Sequence, residues 1–136
     1  MMRPYAVIDN TPPTISGITP TNATLINNSR PTISVTFSDV GSGINASSVG
    51  ILVNGVNVRA AANVTASGLT YTPTTALPDG LTIISIQVRD MAGNFKNMSW
   101  AFNIQATDNT IYIIIAIMAV IAAILIGGLY FIRRKK

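Results

Sequence analysis

From Ile111 to Ile132 the chain reads IYIIIAIMAVIAAILIGGLYFI, a run without a single charge, and Arg133, Arg134, Lys135 and Lys136 follow at once. As an α-helix such a run spans about 33 Å at about 1.5 Å per residue, which covers a bilayer hydrocarbon core of about 30 Å. A helix buried in a soluble protein is seldom apolar on every side over this length, and seldom ends on four consecutive bases. The segment 111–132 is therefore expected to cross a membrane, with 133–136 as a basic tail. Tyr112 and Tyr130 lie near its two ends, where aromatic side chains suit the lipid–water interface. Gly127-Gly128 would permit close approach of a second helix, but the spacing of a GxxxG dimer motif is missing.

The charge difference across the helix sets its direction. Asp108 is the only charge close on the N-terminal side, so the basic tail is expected in the cytoplasm and the rest of the chain outside the cell. The tail reads as a stop-transfer signal, with contact to anionic lipid as a further role. The N-terminal MMRPYAVIDNTPP lacks the apolar centre of a signal peptide. Either the exported protein begins upstream, or the chain is tail-anchored with its domain in the cytoplasm.

Composition narrows the chemistry. The net charge is +4, and the sequence pI of about 9.9 would ordinarily raise nucleic acid as a partner. Placement removes it: outside the C-terminal four, the bases Arg3, Arg30, Arg59, Arg89 and Lys96 are balanced by Asp9, Asp39, Asp79, Asp90 and Asp108. No basic stripe remains to follow a phosphate backbone. The sequence has no Cys, His or Glu, which takes away thiol chemistry, imidazole metal ligands and the commonest acid–base groups. No catalytic residue and no cofactor is expected.

The soluble part alternates with period two. In RPTISVTFSD, Ile33, Val35 and Phe37 share one face, while Thr32, Ser34, Thr36 and Ser38 share the other. Val49–Val58 holds Ile51 and Val53, then Asn54-Gly55, then Val56 and Val58, the pattern of a tight hairpin. Two short strands are expected over Ala62–Thr65 and Leu69–Thr72. A turn at Pro78-Asp79-Gly80 leads into TIISIQVRD, with Ile84, Ile86 and Val88 inward, and WAFNI follows with Trp100, Phe102 and Ile104 inward. Trp100 reads as a core anchor rather than a ligand platform. About seven strands with regular turns close most naturally as a β-sandwich.

At DNTPPTI, RPTISVTFSDVGSGINASSVGILVNGV and LPDGLTIISIQVRDMAGNF the chain resembles the bacterial and archaeal immunoglobulin-like repeats that occur in tandem in surface proteins and adhesins. The resemblance covers 12–105. It implies an all-β Ig-like sandwich acting as stalk, spacer or adhesive module, and no enzymatic activity. The antibody-type Cys pair is missing, which fits the prokaryotic repeats. Tyr5–Thr11 (YAVIDNT) echoes Phe102–Thr110 (FNIQATDNT), so Tyr5–Asp9 is expected to be the last strand of a preceding repeat, within a segment 1–11 of repeat remnant and linker, with 106–110 as juxtamembrane linker.

Two kinds of site residue stand out. Related repeats sometimes hold Ca²⁺ at interdomain carboxylates, and Asp39, Asp90 and Asn94 would supply part of the six to eight or so oxygens such an ion draws. Asp before Gly-Ser-Gly or Ala-Gly-Asn is also what a self-capping turn needs, and capping is the favoured reading. Asn22, Asn27, Asn45, Asn63 and Asn97 each begin an Asn-x-Ser/Thr sequon, as on a glycosylated surface protein or on any surface rich in Asn, Ser and Thr. The expected partners are the lipid bilayer, neighbouring Ig-like repeats and other surface proteins. The expected role is a single-pass cell-surface spacer or adhesive module; the alternatives are the membrane-proximal spacer of a surface enzyme or a small tail-anchored protein.

Overall fold

The computed structural model describes residues 8–106 and 110–135, in two units that divide after Ala106. The first holds nine strands: β1 (Thr14–Thr19), β2 (Leu25–Ile26), β3 (Ile33–Ser38), β4 (Ile44–Val53), β5 (Val56–Asn57), β6 (Asn63–Val64), β7 (Gly68–Tyr71), β8 (Gly80–Asp90) and β9 (Phe95–Ile104). They form two sheets, ordered β1-β3-β7-β6 and β2-β9-β8-β4-β5. All pairings are antiparallel except β2 with β9.

The alternation decides which side chains fill the space between the sheets. Ile33, Val35, Phe37 and Leu69 point inward from the first sheet and meet Ile51, Val53, Ile84, Ile86, Val88 and Phe102 from the second. Trp100 joins them, and its Nε1 donates to the Pro20 carbonyl at 2.8 Å, which satisfies the one polar atom of the ring. The Asn54-Gly55 turn has positive φ at both residues, 49° and 81°, as a two-residue hairpin of this twist requires.

The sandwich has more strands than alternation alone revealed. β1 was not expected, because a register shift between Ser16 and Thr19 interrupts its pairing with β3 and its outward residues break the pattern. β2 is only two residues long. β4 starts at Ile44 rather than Val49, since the polar INASS stretch is bulged against β8 between Asn45 and Gly50. Ser48 Oγ spans that bulge, donating to Asn45 O at 2.7 Å and accepting from Arg89 N at 2.8 Å. Of the expected strand in 5–9, Tyr5–Val7 lie outside the described residues, and Ile8 and Asp9 belong to no strand.

The chain threads the sandwich end to end. β1 begins opposite Ser38, at the pole that carries the loops after β3 and β8. β9 finishes opposite Gly80, at the other pole. The β8–β9 ladder between the poles covers about 30 Å at about 3.3 Å per residue. The second unit is one helix, α1 (Thr110–Arg134), about 37 Å long at about 1.5 Å per residue.

Candidate functional site at the N-terminal pole

Two loops meet where the chain enters the sandwich, one joining β3 to β4 and one joining β8 to β9. Met91 N donates to Gly43 O at 2.9 Å and Ala92 N to Ser42 Oγ at 3.0 Å, so each loop holds the other. Into this junction come three carboxylates, Asp9, Asp39 and Asp90, one oxygen of each lying within 4.8 Å of the others. Asp90 is buried and the other two are half-buried.

Each carboxylate caps backbone. Asp39 Oδ2 accepts from Gly41 N at 3.2 Å and Gly43 N at 2.7 Å. Asp90 Oδ1 accepts from Asn94 N at 2.8 Å, and Asp90 Oδ2 from Asn94 Nδ2 at 2.7 Å. Asp9 accepts from Thr11 N at 3.0 Å and from Ser42 N at 2.7 Å. The Thr11 amide first, then the hydrogen bonds from Ser42, favour its charged form and hold its pKa below the ordinary Asp value. None of these donors is a lysine or arginine. Asp39 Oδ1 is buried and has no hydrogen-bond partner among the described residues.

Asn94 ties the segment to the loops. Its Nδ2 also donates to Asp9 O at 3.1 Å and to Thr11 O at 3.5 Å, so its nitrogen side faces the acidic junction. Sequence reasoning named Asp39, Asp90 and Asn94 but not Asp9, which it placed at the end of the last strand of a preceding repeat. The signal was the Asx-turn pattern of Asp9-Asn10-Thr11; its bond to Ser42 joins residues 33 positions apart and needs the topology to be seen.

A family model for bacterial Ig-like domains matches residues 4–108, most of the chain. The chain belongs to the bacterial Ig-like domain family. No curated protein matches the chain in sequence. Solved structures similar to this Ig-like domain include CopC from Methylosinus trichosporium OB3b, at 15% identity and TM-score 0.56, covering 71% of this chain and 97% of that one. Dimeric latent PorU from Porphyromonas gingivalis matches at 20% identity and TM-score 0.59, over 74% of this chain and 11% of its own. The endo-beta-1,4-mannanase from Thermotoga petrophila matches at 15% identity and TM-score 0.57, over 73% of this chain and 21% of its own. At these identities the likeness is one of fold, and in the last two proteins it concerns a small part of a longer chain.

The remaining sequence-derived residues are scattered over the Ig-like domain and the helix. Among the sequon asparagines, Asn22, Asn27, Asn63 and Asn97 are exposed, whereas Asn45 is half-buried with its Oδ1 accepting from Ser47 N at 3.1 Å. Asn22 Oδ1 is also engaged, accepting from Ala101 N at 3.1 Å. In the second unit, Tyr112–Arg134 is long and apolar enough to cross a membrane, and none of it is buried. Tyr112, Tyr130, Ile132, Arg133 and Arg134 lie on this helix, as does the backbone of Ile111; Lys135 follows it with Nζ 5.3 Å from the Phe131 ring centroid. Lys136 and Asp108 lie outside the described residues.

Proposed function

We propose that the chain is a non-catalytic, membrane-anchored spacer that holds the segment N-terminal to it away from the bilayer, with the sandwich outside the cell and the basic tail inside. The observation that carries this reading is the threading: the chain enters at one pole and leaves at the other, so the module adds its full length instead of doubling back. The loops at the N-terminal pole are bonded to one another and to the entering segment, which suits a joint that transmits orientation. The Arg133–Lys136 cluster favours the inward tail.

Protease treatment of intact cells, with an epitope tag after Lys136, tests the topology. The expected result is loss of the sandwich while the tag survives on a short fragment until the membrane is permeabilised. A protected sandwich would establish the tail-anchored arrangement and overturn the reading.

A second reading concerns the acidic junction and is favoured by one atom. Asp39 Oδ1 is buried without a hydrogen-bond partner among the described residues, and Asp39 lies beside two further carboxylates. A hard divalent cation such as calcium draws about six to eight oxygens, and Asp39 with Asp9, Asp90 and nearby carbonyls would contribute to them, Asn94 keeping Asp90 in place. Calorimetric titration of the detergent-solubilised chain is expected to show calcium binding that Asp39→Asn removes. No heat at millimolar calcium would leave the three carboxylates as turn caps alone.

A further inference from the structure

We propose that the helix-proximal pole of the sandwich is a lipid-contacting surface, on which Leu25, Leu81 and Ile83 rest at the boundary between headgroups and acyl chains. The inference builds on reading α1 as a membrane anchor, and concerns a different part of the molecule.

The outward face of the five-stranded sheet changes character along its length. Midway along the face its β8–β9 pairs are polar, Gln87 beside Asn97 and Ser85 beside Ser99, and at the far end the exposed ring of Phe95 is covered by its partner Arg89, whose guanidinium lies 5.2 Å from the ring centroid. Toward the end where β9 leaves for the helix, Ile83 stands beside Ala101, and Leu81 and Leu25 flank Asn103 from either side. Leu25 is 65% exposed, Leu81 60% and Ile83 46%. An aliphatic row on the solvent side of an antiparallel sheet, where alternation calls for polar residues, is the feature to be explained.

The length of the tether identifies what covers it. The exit strand is held through Ala106: Gln105 N donates to Ile26 O at 2.9 Å, and Ala106 N to Asp79 Oδ1 at 2.8 Å. From Ala106 to Thr110, where α1 begins, there are four peptide steps. Fully extended they reach at most about 14 Å. The headgroup layer is itself about 5–7 Å thick on each side of the hydrocarbon core. A tether of at most about 14 Å leaves the headgroup layer within reach of this pole. Arg30, exposed in the loop that follows β2 at the same pole, adds a cation at the level of anionic headgroups.

The absence of cysteine makes the test clean. Single Leu81→Cys, Leu25→Cys, Val40→Cys and Ile121→Cys variants of the full chain, made in a host that does not glycosylate, are labelled with a small fluorophore. They are reconstituted in phosphatidylcholine–phosphatidylglycerol vesicles with nitroxide-bearing lipids. Val40, 99% exposed at the opposite pole, is the reference for a site clear of the membrane. The label at 81, or at 25 should the first variant misfold, is expected to be quenched several-fold more than the label at 40, and the label at 121 to be quenched by acyl-chain nitroxide. Quenching at 121 with 81 and 25 no different from 40 would overturn the lipid contact and leave the anchor standing. No quenching at 121 would remove the anchor and this inference with it. Quenching at 81 that follows protein density and not nitroxide content would show a second copy on the row, and would also overturn the proposal.

Discussion

Thr82 occupies an inward position on β8, opposite Phe102 of β9. It is fully buried, and its Oγ1 has no hydrogen-bond partner among the described residues. A buried hydroxyl without a partner costs roughly 1–3 kcal/mol, and valine keeps nearly the same shape without that atom. Thr82→Val is expected to raise stability by about 1 kcal/mol. Thermal unfolding of the detergent-solubilised chain should register this as a Tm increase of about 4–8 °C for a domain of this size. A lower Tm would mean that the hydroxyl is satisfied in solution. The period-two pattern that places Ile84, Ile86 and Val88 inward extends to Thr82 by simple counting, whereas its missing partner depends on the opposite strand. The same division runs through the acidic junction. Asp90 with Asn94 is legible because both ends of the contact lie within one short turn. Asp9 with Ser42 is not, because nothing in the local sequence pairs a linker with a loop on the far side of β3.

At the scale of elements, the entering segment is latched to the β3–β4 loop by a single carboxylate. Gly41 leaves room for it: a Cβ there would run into the Asp9 carboxyl group. Because the Thr11 and Ser42 hydrogen bonds lower the pKa of Asp9, the latch is fully present above the ordinary Asp value of about 3.9 and is lost as pH falls through the lower, folded value. The Ser42 amide proton in an NMR titration is expected to shift with a midpoint below that ordinary value. Asp9→Asn should abolish the step while leaving the β-sheet resonances in place. A midpoint at the ordinary value would show that the carboxylate is not hydrogen bonded in solution. The elements themselves were legible where one face is buried and the other wet, as in β3, β8 and the second half of β9, whereas residues 95–99 of β9 bury no side chain fully and went unread. They were hidden where that contrast fails: β1 is interrupted by a register shift, β2 is too short to show a period, and the start of β4 is bulged and polar.

For the whole molecule, the apolar run and the order of alternating strands were enough to foresee a β-sandwich followed by one long apolar helix. The direction of threading was not, since opposite poles for the chain's two ends follow from the placement of β1 beside β3 and of β9 beside β8. That placement also yields the most direct measure of the proposed role. If the module is a spacer, a second copy of residues 4–106 inserted in tandem should lift an N-terminal fluorophore by about 30 Å, the length of the β8–β9 ladder at about 3.3 Å per residue. Energy transfer from that fluorophore to acceptor lipids in reconstituted vesicles reports the height directly. The expected result is a loss of transfer on duplication, and Asp9→Asn in the membrane-proximal copy should broaden the distance distribution by loosening the joint between the two. Unchanged transfer would mean that the second copy folds back against the first or lies along the membrane. Stiffness in this arrangement comes from the bonded loops at the N-terminal pole, so height and joint rigidity are set by different residues and can be altered independently.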